Sequence, residues 1–153
     1  MSETAEVFWD YSLKLWKNDE LKILLLEHQD KQGLDINLLL FLLWISEQRM
    51  ILTTDPSQII ELQRRWIDGL IKPIRGLRRE NQNINELKNS LLQAELVAEK
   101  HYQKALCNLL NDDSMVATPP NYDRAATIKR NLNSYIKIDW DNDLLLLLSK
   151  ASP

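Results

Sequence analysis

A chain of 153 residues fits one domain, residues 1–153, and is long enough to bury a core. Its 44% hydrophobic and 27% charged residues are ordinary globular values, and only 3 Gly and 5 Pro disfavour a turn-rich β fold. A net charge of -3 gives no support for a general polyanion binder, and the single Cys107 excludes an internal disulfide and a cysteine-based zinc site.

In chain order, helical spacing recurs and alternation does not. The opening Met-Ser-Glu-Thr-Ala-Glu-Val lacks a basic region ahead of an apolar core, so no signal peptide is expected. Val7, Phe8, Tyr11, Leu15 and Trp16 make a first apolar stripe, with Ser2 or Thr4 as its cap. Asn18 or Asp19 caps a second helix bearing Leu21, Ile23, Leu24, Leu25 and His28. Gly33 suits the left-handed position that ends it, Leu34 the apolar contact that follows, and Asp35 the cap of a third helix. That helix carries the run Leu38 to Ile45, far short of the roughly 20 residues that span a bilayer, so it reads as a core helix.

Asp55-Pro56 starts a fourth helix through Leu70, which Gly69 and Pro73 are expected to break or kink before Ile74 to Arg79. Ile84, Leu87, Leu91, Ala94, Ala98, His101 and Ala105 then recur at threes and fours. They predict a long helix, packed within the chain in preference to a coiled-coil seam, with His101 and Cys107 as core residues. Residues 111–120 read as a polar loop. A helix with Tyr122, Ala126, Ile128, Leu132 and Tyr135 follows, and Asp139 to Asp143 caps a last short one from Leu144 to Leu148. Together these elements predict an all-α bundle of about six to eight helices in a cytoplasmic protein. Four of the five tryptophans share helical spacing with apolar residues, which predicts core packing for them.

Two features are not absorbed by capping and core. Asp30 and Asn37 flank the Gly33–Asp35 turn, where a polar pair beside so apolar a helix needs partners if buried. Between Arg64 and Arg79, six cations against Asp68 alone make an arginine patch of local charge +5, leaving -8 for the rest of the chain. Three readings of the patch stay open. It is a solvated basic face or one paired with an acidic helix such as that bearing Asp10, an anion pocket built on Arg75 and Arg79, or an internal network pairing arginines with Asp30 and Asp35. No cofactor is expected: Glu27, His28, Asp30 and Asp35 offer ligand types, but no Glu-x-x-His pair recurs on a second helix.

The stretches FWDYSLKLW (8–16), HQDKQGLDINLLLFLLW (28–44) and WIDGLIKPIRGLRRE (66–80) resemble the three blocks of an uncharacterised proteobacterial small all-helical family, domain of unknown function 2390. The resemblance covers roughly residues 6–80, with mild departures at Ile36, Ile74 and Glu80-Asn81. It implies a self-contained bacterial domain and supplies no activity, and it draws attention to the polar members of the pattern. The expected function is therefore a non-enzymatic interaction or regulatory module for a protein partner, with Asp30, Asp35, Asn37, Arg75, Arg78 and Arg79 as a polar network or ligand site. The alternatives are an anionic small-molecule or enzymatic site using those arginines with Asp30, and an RNA- or ribosome-associated role resting only on the local charge.

Overall fold

The computed structural model describes residues 3–112, 116–140 and 142–150, apart from the side chains of Glu3, Asn142 and Asp143. Helices α1 (Glu3–Trp16), α2 (Asp19–Gln32) and α3 (Ile36–Glu47) lead to a short strand β1 (Ile51–Leu52). Helices α4 (Pro56–Gln63) and α5 (Lys72–Glu80) are the two ends of one continuous helix, joined by a π-helical segment over Arg64–Ile71. Then come α6 (Asn85–Asn108), a single 3-10 turn, strand β2 (Val116–Ala117), α7 (Arg124–Tyr135) and α8 (Asn142–Lys150). With α4 and α5 counted as one, the described residues form seven helices, an all-α bundle.

Three predicted caps place their helices: Asn18 accepts from the Leu21 N–H, Asp35 from Leu38 and Asp55 from Ser57. Asp123, not singled out in the sequence, caps α7 by accepting from Ala126. Thr4 lies within α1 rather than before it, while Ser2 falls outside the described residues. At the far end, Asp141 and the side chain of Asp143 also lie outside them, and Asp139 is tied to Gln32 by two backbone contacts of 2.7 and 3.1 Å.

Helix α3 is apolar all round, and every residue from Leu38 to Ser46 is buried, as a helix central to a bundle requires. It packs against α1, α6 and α7, while α8 covers α2. Phe8 of α1 stacks on Trp44 at 5.2 Å and meets Phe41 edge-on at 5.6 Å, so the first and third helices share one aromatic cluster. Trp44 is buried, whereas Trp9, Trp16, Trp66 and Trp140 are half-buried, so the core reading holds in full for one tryptophan.

Three expectations are corrected. Gly69 and Pro73 do not break the fourth helix: the Lys72 N–H donates to the Ile67 carbonyl, a wider i to i+5 turn just before the proline. Proline lacks an N–H and its ring crowds the carbonyl four residues back in an α-turn. Widening the preceding turns accommodates it without leaving the helix.

The stripe of α6 is displaced. Glu95, Ala98, Tyr102, Gln103 and Leu106 are buried, while Ala94 and His101 are exposed, His101 stacking on Trp66 at 6.1 Å. Val7, Ile23, Ile60 and Leu70, expected on inward stripes, are exposed as well. Lastly, the 111–120 loop holds β2, whose Val116 and Ala117 pair antiparallel with Leu52 and Ile51. Two residues are too short a run for periodicity to reveal.

Candidate functional site

Construction of the site begins at the α2–α3 corner. Gly33 sits at φ 68°, and its N–H bonds the Gln29 carbonyl at 3.1 Å. The Leu34 N–H reaches the His28 carbonyl at 3.4 Å while its side chain is buried, so the helix closes in a left-handed glycine cap. This tight reversal sets Asp30, Asp35 and Asn37 on one edge, opposite the π segment and α5. Between the two lies an open cleft of about 510 Å³, lined by Asp30, Asp35, Asn37, Arg75 and Arg79 together with Gln63 and Lys72. Five of the six predicted site residues therefore share one cleft, and Arg78 lies just behind it.

Each polar residue holds a different wall. Asp35 caps α3 through Oδ1, while its Oδ2 accepts from Gln63 Nε2 at 3.1 Å and from the Tyr102 hydroxyl. Burial pushes its carboxyl above the ordinary range, against the pull of those hydrogen bonds. Burial, then the Asp35 charge, also holds the Tyr102 phenol well above its usual value, so the proton stays on Tyr102. Asn37 Oδ1 accepts from Gln103 Nε2 at 2.9 Å, and the same nitrogen donates to Ser12 Oγ at 3.1 Å. Asn37 thus links α3 to α6 and α1. Asp30 is exposed at the rim.

The arginines do not pair with Asp30 or Asp35, nor with the helix that bears Asp10. Arg75 Nε donates to Glu95 at 2.8 Å and its Nη2 to Glu99 at 3.5 Å, while Arg78 Nε donates to the second Glu95 oxygen at 2.7 Å. The short connection at 81–84 folds α6 back along α5 and brings these carboxylates nearer than the α2–α3 corner. Glu95 is buried, yet its carboxyl is lowered: burial raises it, and the bonds from Arg78 and Arg75 prevail. Glu99, one turn further on, is pushed up to about 7 by burial and by the Glu95 charge. No hydrogen bond or ion pair among the described residues engages Arg79, which lines the cleft opposite Asp30.

Glu95, Glu99, Tyr102 and Gln103 carry this arrangement and are not marked in the sequence. The available signals were the spacing of two carboxylates four apart on α6 and the short connector that makes α5 its neighbour. Cys107 is buried, with its thiol pushed up to about 12 by burial, in keeping with a structural role. The described residues contain no cluster of three or more His, Cys, Asp or Glu able to hold a metal ion.

The family profile for protein of unknown function (DUF2390) matches residues 7–106. The chain belongs to this family. No curated protein and no solved structure matches it. The matched DUF2390 segment contains every residue of the cleft and ends at Leu106, before α7 and α8. No helix among the described residues is long and apolar enough to cross a membrane.

Proposed function

We propose that this DUF2390 protein is a non-enzymatic cytoplasmic interaction or regulatory module whose partner docks an anionic group in the cleft between the α2–α3 corner and the α4–α5 helix. The supporting observation is the division of labour among its charges. Asp35, Asn37, Arg75 and Arg78 are committed to internal partners and shape the walls, whereas the side chains of Arg79 and Asp30 stand unengaged among the described residues at the opening. A side chain held by two or three internal bonds is poorly placed to move a proton in a reaction, while an unengaged rim arginine suits a carboxylate or phosphate.

A small anionic ligand in the same cleft is the competing reading, because about 510 Å³ falls within the range of small-molecule pockets. The nucleic-acid reading loses ground. Of the six cations, Arg64 pairs with Glu61, Lys72 with Asp68, and Arg75 and Arg78 with Glu95, leaving little free charge for a phosphate backbone.

The test places a photo-crosslinking amino acid at Gln29, on the cleft wall, in cells. Arg79→Glu should leave the melting temperature nearly unchanged, as for a surface charge, and should abolish the crosslinked protein species. A crosslink that persists undiminished in Arg79→Glu would sink the proposal. No crosslink, together with a thermal shift by small carboxylates or phosphates, would favour the small-ligand reading instead.

A further inference from the structure

Beyond Gln29, Ile36, Asn37, Arg75 and Arg79, which line both, the cleft continues into a second groove of about 380 Å³. Its walls are apolar: Trp9, Leu13 and Trp16 from α1, Leu26 from α2, and Leu92 and Leu96 from α6. Leu13, Leu26, Leu92 and Leu96 are exposed there, an unusual grouping of large aliphatics along one depression. The floor is polar, made by Gln103 with Glu95 and Glu99. We infer that this groove receives the carboxyl-terminal end of an extended apolar peptide, its last side chains between the tryptophans and Leu92–Leu96 and its terminal carboxylate on Arg79. The inference rests on the docking reading above and names the chemistry of the partner.

Charge and hydrogen bonding both favour that occupant. The groove is lined by Arg75, Arg78 and Arg79 against Glu95 and Glu99, and Lys100 adds a further cation 4.9 Å over the Trp9 ring at the rim. Burial holds the Glu99 carboxyl near 7, which trims the negative side further. The net field therefore selects an anion, and Arg79 is the guanidinium left to meet it.

Gln103 donates twice through Nε2, but its buried Oε1 has no donor. A buried acceptor without a partner is costly, and a small shift of this floor side chain would let it take a donor from whatever enters. A helix has its own N–H groups already used, whereas an extended chain presents free ones. An extended chain end is the occupant that supplies a carboxylate, free N–H groups and apolar side chains together.

The test pans the full chain against a random heptapeptide library displayed with free carboxyl termini, then titrates the best peptide by tryptophan fluorescence and calorimetry. Enrichment of Leu, Ile or Phe at the last two positions is expected. The peptide acid should bind at least ten-fold more tightly than its amide, and Arg79→Ala should erase that difference. Leu96→Glu, at the exposed rim, should weaken acid and amide alike, and circular dichroism with the melting temperature verifies that both variants fold.

No enrichment, equal binding of acid and amide, or full affinity in Leu96→Glu overturns the inference. If the Gln29 crosslink persists in the wild type and is lost in Arg79→Glu while no free-carboxyl peptide is enriched, the docking reading stands and the groove assignment alone falls. If neither appears, both fall.

Discussion

Glu95 and Glu99 lie one turn apart on α6, and their carboxyls move in opposite directions. Glu95 accepts from two guanidinium groups, which outweigh its burial and lower it, whereas Glu99 shares one of them at 3.5 Å and is pushed up to about 7. For Glu99 the folded state therefore binds a proton more tightly than the unfolded chain. Stability is lost as pH rises from the ordinary 4.5 through 7 and is not regained above it; the displacement corresponds to about 3 kcal/mol. Glu95 works the other way, adding stability above the ordinary carboxylate range that is lost on acidification. Glu99→Gln, which can still accept from Arg75, should then stabilise the protein by up to about 3 kcal/mol at pH 8 and by little at pH 5. Urea unfolding at the two pH values checks this; a gain of equal size at both would show that packing, not titration, is responsible.

On the scale of single elements, the π segment decides how the α4–α5 helix presents its side chains. An eight-residue run of wider turns rotates everything beyond it relative to an ordinary helix, and α5 follows directly with Arg75, Arg78 and Arg79. Gly76 lies in this stretch, with open space where a Cβ would stand, and it lines the cleft. Gly76→Ala should therefore raise stability by about 0.5–1 kcal/mol, the usual gain for alanine over glycine in a helix. The added methyl projects toward the cleft, so the same substitution should lower partner capture from Gln29. Chemical denaturation and the crosslink yield read the two effects separately. A variant that is stabilised and captures its partner undiminished would place the docking surface elsewhere.

Across the whole molecule, the family match ends at Leu106, but the core does not. Ile128, Leu132, Ile136, Leu144 and Leu148 belong to the same buried cluster as Phe8 and Phe41. Asn131 joins the parts. It is fully buried, donates to Ser46 Oγ at 2.8 Å and to the Met50 carbonyl at 3.0 Å, and accepts from the Leu52 N–H at 3.0 Å. One side chain of α7 thereby satisfies α3, the turn after it and strand β1. Asn131→Ala would orphan several buried groups and should cost about 2–4 kcal/mol, against less than about 0.5 for the exposed neighbour Asn133→Ala. The urea midpoints of the two variants provide the comparison; a mild Asn131 effect would mean that the segment after residue 106 contributes little to the fold.

Local chemistry explains what was legible from the residues alone. Caps, the Gly33 turn and the apolar run of α3 depend on neighbours within about four positions, so Asn18, Asp35, Asp55 and the buried α3 could be read directly. The grouping of Asp30, Asp35 and Asn37 on one edge was legible for the same reason, since a single turn carries all three.

What tertiary structure decided was partnership. Arginines accept any nearby carboxylate, and only the fold-back of α6 along α5 selected Glu95 and Glu99 over Asp30 and Asp35. The buried stripe of α6 shifted for a related reason. A buried glutamate and glutamine are stable only when a partner helix brings hydrogen-bonding groups to them, and neither those groups nor the open cleft beside Arg79 is written in hydrophobic spacing.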